Sequence, residues 1–569
     1  MFIVDIKGNG NFLSLIYNIY ILYIPIEISN KGKGNLNTKI LTWIILLFFL
    51  LGSLSSIVVG YNFKNDADVR SVSSRIFAGD TLYVGGSGPN NYTSIQSAIN
   101  DASNGCTIFV YNGYYYEQLE IDKTLHLIGE DRENTIIENN QDYVIRLQAD
   151  SITINNFLIS RDENHFDERC ILLNSNNNRI FNNIIKNHTN GIGIRMGYET
   201  LNNYIENNLF INNEEAIHME YSNNNFINNN IVKDNHGYEA IRVLFSNYNK
   251  FFNNSICNNT NTGMEIYDSR YTILENNTIS NNGEYGIRST NHAFNTIIIN
   301  NIVENNNGGG IILSSSFQTG NHFVTNNLIQ GNLGIGLKLM NTNFNTISYN
   351  FISDNTQGIE IDGSNSNTII RNTISNNEEY GIYIDDYDPS IFNEIYLNNM
   401  INNSINAMDK CVNYWNCNMP SHQYGNYWDD YPGHDNNGDG IGDTPYLVNG
   451  GTNEDSFPIM IPFEKSNDDF VLEFSKPQNR LYLFNIPTIR LLIPVIIGRF
   501  TIIADVQHDS FEDVAVLLYV NGVWKDYDLD KPYKFVWRDR LIQHYVLELD
   551  VYSLYGEKRN IKKDVLRIF

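Results

Sequence analysis

Basic residues are scarce in this chain of 569: 38 lysines and arginines stand against 64 aspartates and glutamates, a formal charge of −26. A chain so acidic repels the phosphates of nucleic acid and the surface of anionic membranes, so neither is an expected partner, and it suits a soluble protein exposed to salt or cations. Cysteine is rarer still. Five are present, Cys106, Cys170, Cys257, Cys411 and Cys417, with no Cys-x-x-Cys pair, which excludes a cysteine zinc module and leaves at least one thiol unpaired. Cys411 and Cys417 flank a short loop and are the expected disulfide in an oxidising compartment, while the other three are expected to pack as small hydrophobes. Long apolar runs are confined to the N-terminal region. The aromatic content, 36 tyrosines above all, excludes general disorder.

What is abundant is asparagine, about one residue in four from Ser151 to Lys410. The fragment Asn-x-apolar recurs at Asn156, Asn183, Asn208, Asn230, Asn254, Asn277, Asn301, Asn327, Asn350, Asn372 and Asn399. The spacing averages roughly 24 residues, inside the range that marks solenoid repeats. Each period also carries a Gly-Ile-x-Ile fragment, as at Gly191–Ile194, Gly263–Ile266, Gly358–Ile361 and Gly381–Ile384, and an Asn-Thr-Ile fragment, as at Asn295, Asn345 and Asn367. Alternation over three to five residues is the period of a half-buried strand and too short for a helix. Three short strands per period, each pairing in parallel with its counterpart one period on, predict an all-β right-handed parallel β-helix. Asparagine fits its turns, because its amide bonds both its own backbone and the equivalent asparagine one rung away, and because it tolerates left-handed φ.

Six segments follow in chain order. Residues 1–38 read either as sequence upstream of the true start or as a first membrane segment. Residues 39–60 hold an uncharged apolar run, Ile40 to Gly60, behind Lys31, Lys33 and Lys39; by length and flanking charge it is a signal peptide or a membrane anchor, and either way the body is exported. A linker occupies 61–79, the β-helix 80–409, and a closing segment 410–465. In the β-helix, Thr93-Ser94-Ile95-Gln96 predicts a capping box opening an amphipathic helix, with Ile95, Ala98, Ile99 and Ala102 on one face, that lids the first rung. Cys106 to Tyr111, Tyr115 to Ile121 and Thr124 to Gly129 are then expected as the first full rung. From 466 to 569 the asparagine density collapses, and β-rich runs at Tyr482–Phe484, Thr501–Asp505, Val514–Val520, Lys534–Trp537 and Tyr545–Val551 predict an antiparallel sandwich.

The stretch YTSIQSAINDASNGCTIFVYNGYYYEQLEIDKTLHLIGEDRENTIIE resembles the opening of pectin-lyase-like right-handed β-helix proteins. The later YGNYWDDYPGHDNNGDGIGDTPYLVNGGTNEDSFPIM resembles the segment that closes the β-helix in NosD-like proteins, the family of a periplasmic copper-binding maturation factor. The likeness covers roughly Asp80 to Pro462. VLLYVNGVWKDYDLDKPYKFVWRD resembles an Ig-like or fibronectin-III-like accessory domain of archaeal secreted proteins, which implies adhesion or spacing.

Three constellations carry chemistry. Asp435-Asn436-Asn437-Gly438-Asp439-Gly440-Ile441-Gly442-Asp443 sets oxygen donors at alternate positions around a glycine bend, as a hard cation requires, so Asp435, Asn437, Asp439, Ile441 and Asp443 are the expected calcium positions. The acid that completes an EF-hand loop is missing, with Tyr446 in its place, and a cation-free Asx-turn loop is the competing reading. The second is an outward column beside the Gly-Ile-x-Ile strand. Here His218, Arg242, Glu265, Arg288, Glu360 and Tyr383 are expected at one position, with Arg195, Glu220, Tyr267, Lys338, Asp362 and Asp385 two residues on. Glu265 with Glu360 or Asp362 would be an acid pair and Arg242 or Arg288 a lyase base, although opposite charges on adjacent rungs are also what a solvated sheet prefers. The third is copper, which the family resemblance implies through Met196, His218 and Met219 with His188 and His236 nearby. Met219 falls on an inward position and the histidines are scattered, so copper is not expected.

These features together predict an exported, surface-associated binding or scaffold protein for glycans or cell-envelope polymers, with membrane contact only through 40–60. A polysaccharide lyase or hydrolase and a metal-delivery factor are the alternatives.

Overall fold

The computed structural model describes residues 79–161, 168–316, 320–419, 422–464, 471–507, 514–521, 523–528, 532–537, 543–553 and 558–568. The extension 1–38, the apolar run 39–60 and all but the end of the linker 61–79 lie outside them. Among the described residues no helix is long and apolar enough to cross a membrane.

The repeat is a right-handed parallel β-helix with three sheets, of fourteen, fourteen and thirteen strands. The first complete rung takes Cys106–Val110 into the first sheet, Gly113–Tyr116 into the second and Leu119–Ile121 into the third; Leu125–Gly129 then stacks on Cys106–Val110, Leu125 beside Cys106. The expected piece Tyr115 to Ile121 therefore divides between two sheets, and Thr124 to Gly129 opens the next rung.

Most strands of the first two sheets are only three residues long, so each sends one side chain inward. Ile154, Ile180, Ile205, Ile227 and Phe251 stack in the first sheet, and Ile159, Ile185, Phe210, Val232 and Ile256 in the second, all fully buried. Burying each such side chain contributes on the order of 2 kcal/mol, so the rungs are held chiefly by stacked aliphatic columns.

A helix, α1 (Ile95–Asp101), lies over the first rungs with Ile95, Ala98 and Ile99 in the solenoid core. Its cap is Ser94, whose side chain accepts Ser97 N–H, and not the expected Thr93. The reciprocal acid comes from the rung: Glu117 accepts Ile95 N–H at 2.9 Å, Gln96 N–H at 3.0 Å and the Ser94 hydroxyl at 2.8 Å. A carboxylate at a helix start satisfies orphan donors, which here also ties the lid to the solenoid.

Each turn uses two neighbouring residues for two jobs. The first takes positive φ, as at Asn182, Asn207, Asn229 and Asn253. The second points its amide inward and bonds its counterpart one rung on. Asn183 donates from N and Nδ2 to Asn208 Oδ1 at 3.0 and 3.1 Å, and the pattern runs through Asn230, Asn254, Asn277, Asn301, Asn327, Asn350 and Asn372 to Asn398 and Asn426. Asn156 and Asn399 lie one residue off this ladder: Asn156 has φ 65, and Phe157 and Asn398 hold the ladder positions. Similar ladders run in the other two turns, one from Asn178 to Asn249 and again from Asn345 to Asn413, the other from Asn213 through Asn403 to Asn406.

The closing segment ends all three with carboxylates. Asp455 accepts Asn426 N–H at 2.6 Å, Asp409 accepts the Asn413 amide at 3.1 Å, and Asp429 and Asp430 accept the Asn406 amide at 2.8 and 2.9 Å. The expected Cys411–Cys417 bridge is absent: both are thiols, and Cys411 Sγ donates instead to the Asp385 carbonyl at 3.1 Å. Cys106 and Cys170 are buried as expected, whereas Cys257 is half-buried.

The C-terminal region is a sandwich of a three-stranded and a seven-stranded sheet sharing one core, in which Phe474, Ile502 and Phe535 meet Leu518, Leu547 and Val565. Four of the five expected runs are strands throughout, and Tyr482–Phe484 is strand as far as Leu483. Pairing is antiparallel except where Val495–Ile497 runs parallel to Arg480–Leu483 and to Lys558–Ile568. Leu517 and Tyr519, on the other face of Val514–Val520, bury against Ile273, Ile297 and Ile299 of the solenoid's first sheet, and Lys250 Nζ lies 3.7 Å over the Tyr519 ring.

Candidate functional site

The third sheet carries the charged face, and the geometry begins with a corner. At the start of Glu215–Glu220 and Glu239–Leu244 two consecutive residues turn inward, Ala216 with Ile217 and Ala240 with Ile241. Glycine fills the same place on later rungs, where a Cβ on Gly263 would meet Ile279 Cγ2 of the second sheet at 3.0 Å. Two inward residues in a row shift the alternation, so residues three apart share the outer face. Glu215 thereby meets His218, and Glu239 meets Arg242.

The result is a cluster of three glutamates, two arginines and a histidine spread over four rungs. Arg288 Nη2 reaches Glu239 at 2.7 Å and Glu265 at 2.9 Å, and its Nε donates to Glu265 at 3.0 Å. Glu215 lies 2.6 Å from His218 Nδ1. Arg242 sits among Glu215, Glu239 and Glu265 at 3.6, 3.7 and 3.9 Å, and its buried Nε has no hydrogen-bond partner among the described residues. The three carboxylates are nearly buried beneath the guanidinium groups. Burial, then the charge of Glu265, pushes the Glu239 carboxyl up to about 7 against the pull of Arg242 and Arg288.

Of the expected residues, Arg242, Glu265 and Arg288 come together and Glu360 does not. It pairs with Lys338 at 2.7 Å, three rungs beyond Arg288. The expected columns also slip. Arg195 stacks beside His218, and Lys338 between Ile312 and Glu360, so both belong to the first column and not to the second. Glu215 and Glu239 were not anticipated, because strict alternation places them on the inner face; the signal was the pair of Glu-Ala-Ile fragments where other rungs have a residue other than glutamate before Gly-Ile. Beside the cluster, beginning one rung earlier and sharing three of its rungs, runs a file of rings: Tyr198–Tyr221 and Tyr221–Phe245 stack at 4.5 and 5.0 Å, and Tyr267 meets Phe245 edge-on at 5.8 Å.

The glycine-bend loop is folded on itself. Asp435 accepts Gly438 and Gly440 N–H at 2.6 and 2.9 Å, Asn437 accepts Asp439 N–H at 2.9 Å, Asp439 accepts Ile441 N–H at 2.9 Å, and Asp443 accepts Asn436 N–H at 2.8 Å. Those bonds, the one from Gly440 first, hold the Asp435 carboxyl below its usual range. The side-chain oxygens are of the hard type that calcium takes, and Asx-turn bonding leaves each a second lone pair. Copper is another matter. Met196 and Met219 are fully buried in the core while His218 faces out with Nδ1 on Glu215, and the His236 ring bonds Asn212 at 2.7 Å, so these donors face different ways and do not fit a shared copper ion.

Residues 295–433 match the family model described as periplasmic copper-binding protein (NosD), and residues 170–323 match the right handed beta helix region. Comparison with curated proteins returns no match. Among solved structures, the chain is similar to the A-module of mannuronan C-5 epimerase AlgE6 from Azotobacter vinelandii, at 15% identity over 56% of this chain and 89% of that one, TM-score 0.33. It is also similar to the Dettilon tailspike protein, at 11% identity over 83% and 79% with TM-score 0.43, and to pectate lyase Pel9A, at 16% over 63% and 82% with TM-score 0.27. At such identities the likeness is one of fold. The solenoid of this chain is a NosD-like right-handed β-helix.

Proposed function

We propose that the outer face of the third sheet binds an extended glycan without cleaving it, with Arg242 as the principal contact. The carrying observation is the contrast between Arg242 and its neighbours. Arg195, Arg288, Lys338 and Lys410 each hold a carboxylate at 2.7 to 3.1 Å, whereas Arg242 stands 3.6 Å or more from all three of its own. A half-exposed guanidinium with slack bonding is ready to take the hydroxyls or carboxylate of a sugar, and a straight column at roughly 4.8 Å per rung suits a repetitive polymer. The rings from Tyr198 to Tyr267 add an apolar edge along it. The acids that cleavage would need lie under arginines, and His218 is turned to Glu215.

The test is retention of the full chain on a panel of acidic and neutral polysaccharides, with a parallel assay for new chain ends. Retention without new ends is expected, and Arg242→Ala should weaken it about tenfold, the loss of one charge-assisted hydrogen bond. New ends would favour a second reading, acid catalysis by Glu239, which its carboxyl near 7 supports; Glu239→Gln would then abolish them. Indifference to every polymer would reject both.

Export, through the apolar run 40–60, to the cell surface is part of the same proposal. So is calcium at Asp435, Asn437, Asp439, Ile441 and Asp443, as a brace for the closing loop. Calorimetric titration should show uptake at millimolar calcium in the protein and none in Asp435→Ala; no uptake by the protein itself would end the calcium reading.

A further inference from the structure

From Ser475 to Ala504 the chain carries Lys476, Arg480, Arg490 and Arg499 and no carboxylate, within a protein of net charge −26. Most of this strip, from Arg480 to Ile497, forms one edge of the seven-stranded sheet. Ile486–Arg490 is the outermost strand, paired on one side only with Arg480–Leu483, and all five of its residues are exposed. The hairpin joining the two has a two-residue turn, Phe484 and Asn485, both at positive φ. Asparagine and glycine are at ease there and phenylalanine is not, yet Phe484 is 71% exposed. Leu492, just past the strand, is 80% exposed, with Ile486 and Ile489 close behind. Arg490 and Arg499 are exposed, and neither they nor Arg480 makes an ion pair among the described residues.

We propose that this edge docks on an anionic lipid bilayer, with Phe484, Ile486 and Leu492 entering the interface and the arginines meeting the headgroups. The acidity of the whole chain argues against such a surface, but charge is felt over about 8–10 Å in physiological salt, and within that range the strip is basic. Glu473 and Asp564 line a cleft together with Ile493 and Pro494, with Lys563 facing Glu473 and His544 lying 3.1 Å from Asp564. The edge is also free to approach. It lies five strands from Val514–Val520, the strand seated on the solenoid, a distance of about 24 Å at the usual strand spacing. Exposed apolar side chains flanked by unpaired cations are the composition of an interfacial anchor, whereas an edge meant to stay in water carries charges along its strand.

The experiment is flotation of the full chain with vesicles of phosphatidylcholine alone and of phosphatidylcholine mixed with phosphatidylglycerol. Stronger binding to the mixed vesicles, weakening as salt rises, is expected. Arg490→Ser with Arg499→Ser should cut the anionic preference about 25-fold, roughly fivefold per arginine, and Phe484→Ser with Leu492→Ser should lower binding while leaving that preference in place. All four side chains are exposed, and circular dichroism confirms that each variant is folded. The apolar run 40–60 would bind both vesicle types alike and respond to neither pair of changes, so it is separable. Equal binding by the parent and both variants overturns the proposal. So does vesicle-independent dimerisation that the Phe484/Leu492 variant abolishes, which would make the edge a contact between copies of this chain.

Discussion

Replacing Asn277 by alanine separates the two duties that asparagine performs in these turns. Asn277 is buried. Its Oδ1 accepts the N and Nδ2 of Asn254, both at 3.0 Å, and its Nδ2 donates to the Phe251 carbonyl and to Asn301 Oδ1, both at 2.9 Å. Its backbone N–H still reaches Asn301 in the variant. What is stranded is the buried Asn254 N–H, and the Phe251 carbonyl loses a donor. An unmet buried group costs about 1–3 kcal/mol, so Asn277→Ala should cost about 3–5 kcal/mol once the lost side-chain contacts are included. Asn276, its neighbour, is exposed at φ 56. There alanine should cost only about 1 kcal/mol, the strain of the left-handed region, and glycine almost nothing. Because stacked repeats can open singly, the assay is hydrogen exchange across the rungs from Ile227 to Asn301 beside a denaturant titration. Equal losses for the Asn276 and Asn277 alanine variants, or a loss below about 1 kcal/mol for Asn277, would refute the ladder as a source of stability.

Three further outcomes follow from the same geometry. Glu239 holds its proton more tightly folded, near 7, than unfolded, near 4.5, so it costs stability progressively as pH rises through that window; Glu239→Gln should remove the slope and gain up to about 2 kcal/mol at pH 8 after allowance for screening, read by thermal melts across pH. Burial lifts Asp455 to about 6 despite N–H bonds from Asn426, Trp428 and Phe457, so stability should fall between about 4 and 6. Asp455→Asn should flatten that fall while keeping the ladder acceptor, and Asp455→Ala should cost about 3 kcal/mol at any pH. Leu517→Asp places a charge in the seam between sandwich and solenoid, and proteolysis should then release the C-terminal region at protease levels that leave the parent intact.

The repeat was legible because its spacing and alternation are local, and local pattern fixes which side chains stack. The misreadings come where geometry departs from alternation. Arg195 and Lys338 slip by two residues because the third sheet's strands run six residues against three in the others, giving two outward positions to choose between. Glu215 and Glu239 join the site through a corner of two inward residues, which an alternating template cannot represent. Asn156 and Asn399 were one residue off in opposite directions, Asn156 in the positive-φ place before Phe157 and Asn399 opening a strand after Asn398, and only the fold separates these places. Glu117 capping α1 from the next rung, and Cys411 turned to the Asp385 carbonyl, are contacts across the solenoid on which the sequence is silent.

Along the three ladders the asparagine oxygens accept from the N-terminal side and most of the amides donate toward the C-terminal end, so the amide dipoles add in series as peptide dipoles do along an α-helix. The solenoid is thus an electrically polar rod with its positive pole at the far end. Asp455, Asp409 and Asp429 sit at that pole as counter-charges. A rod cut after Ile401 would leave three unneutralised poles side by side, a ready seat for an anion or for the acidic surface of another molecule.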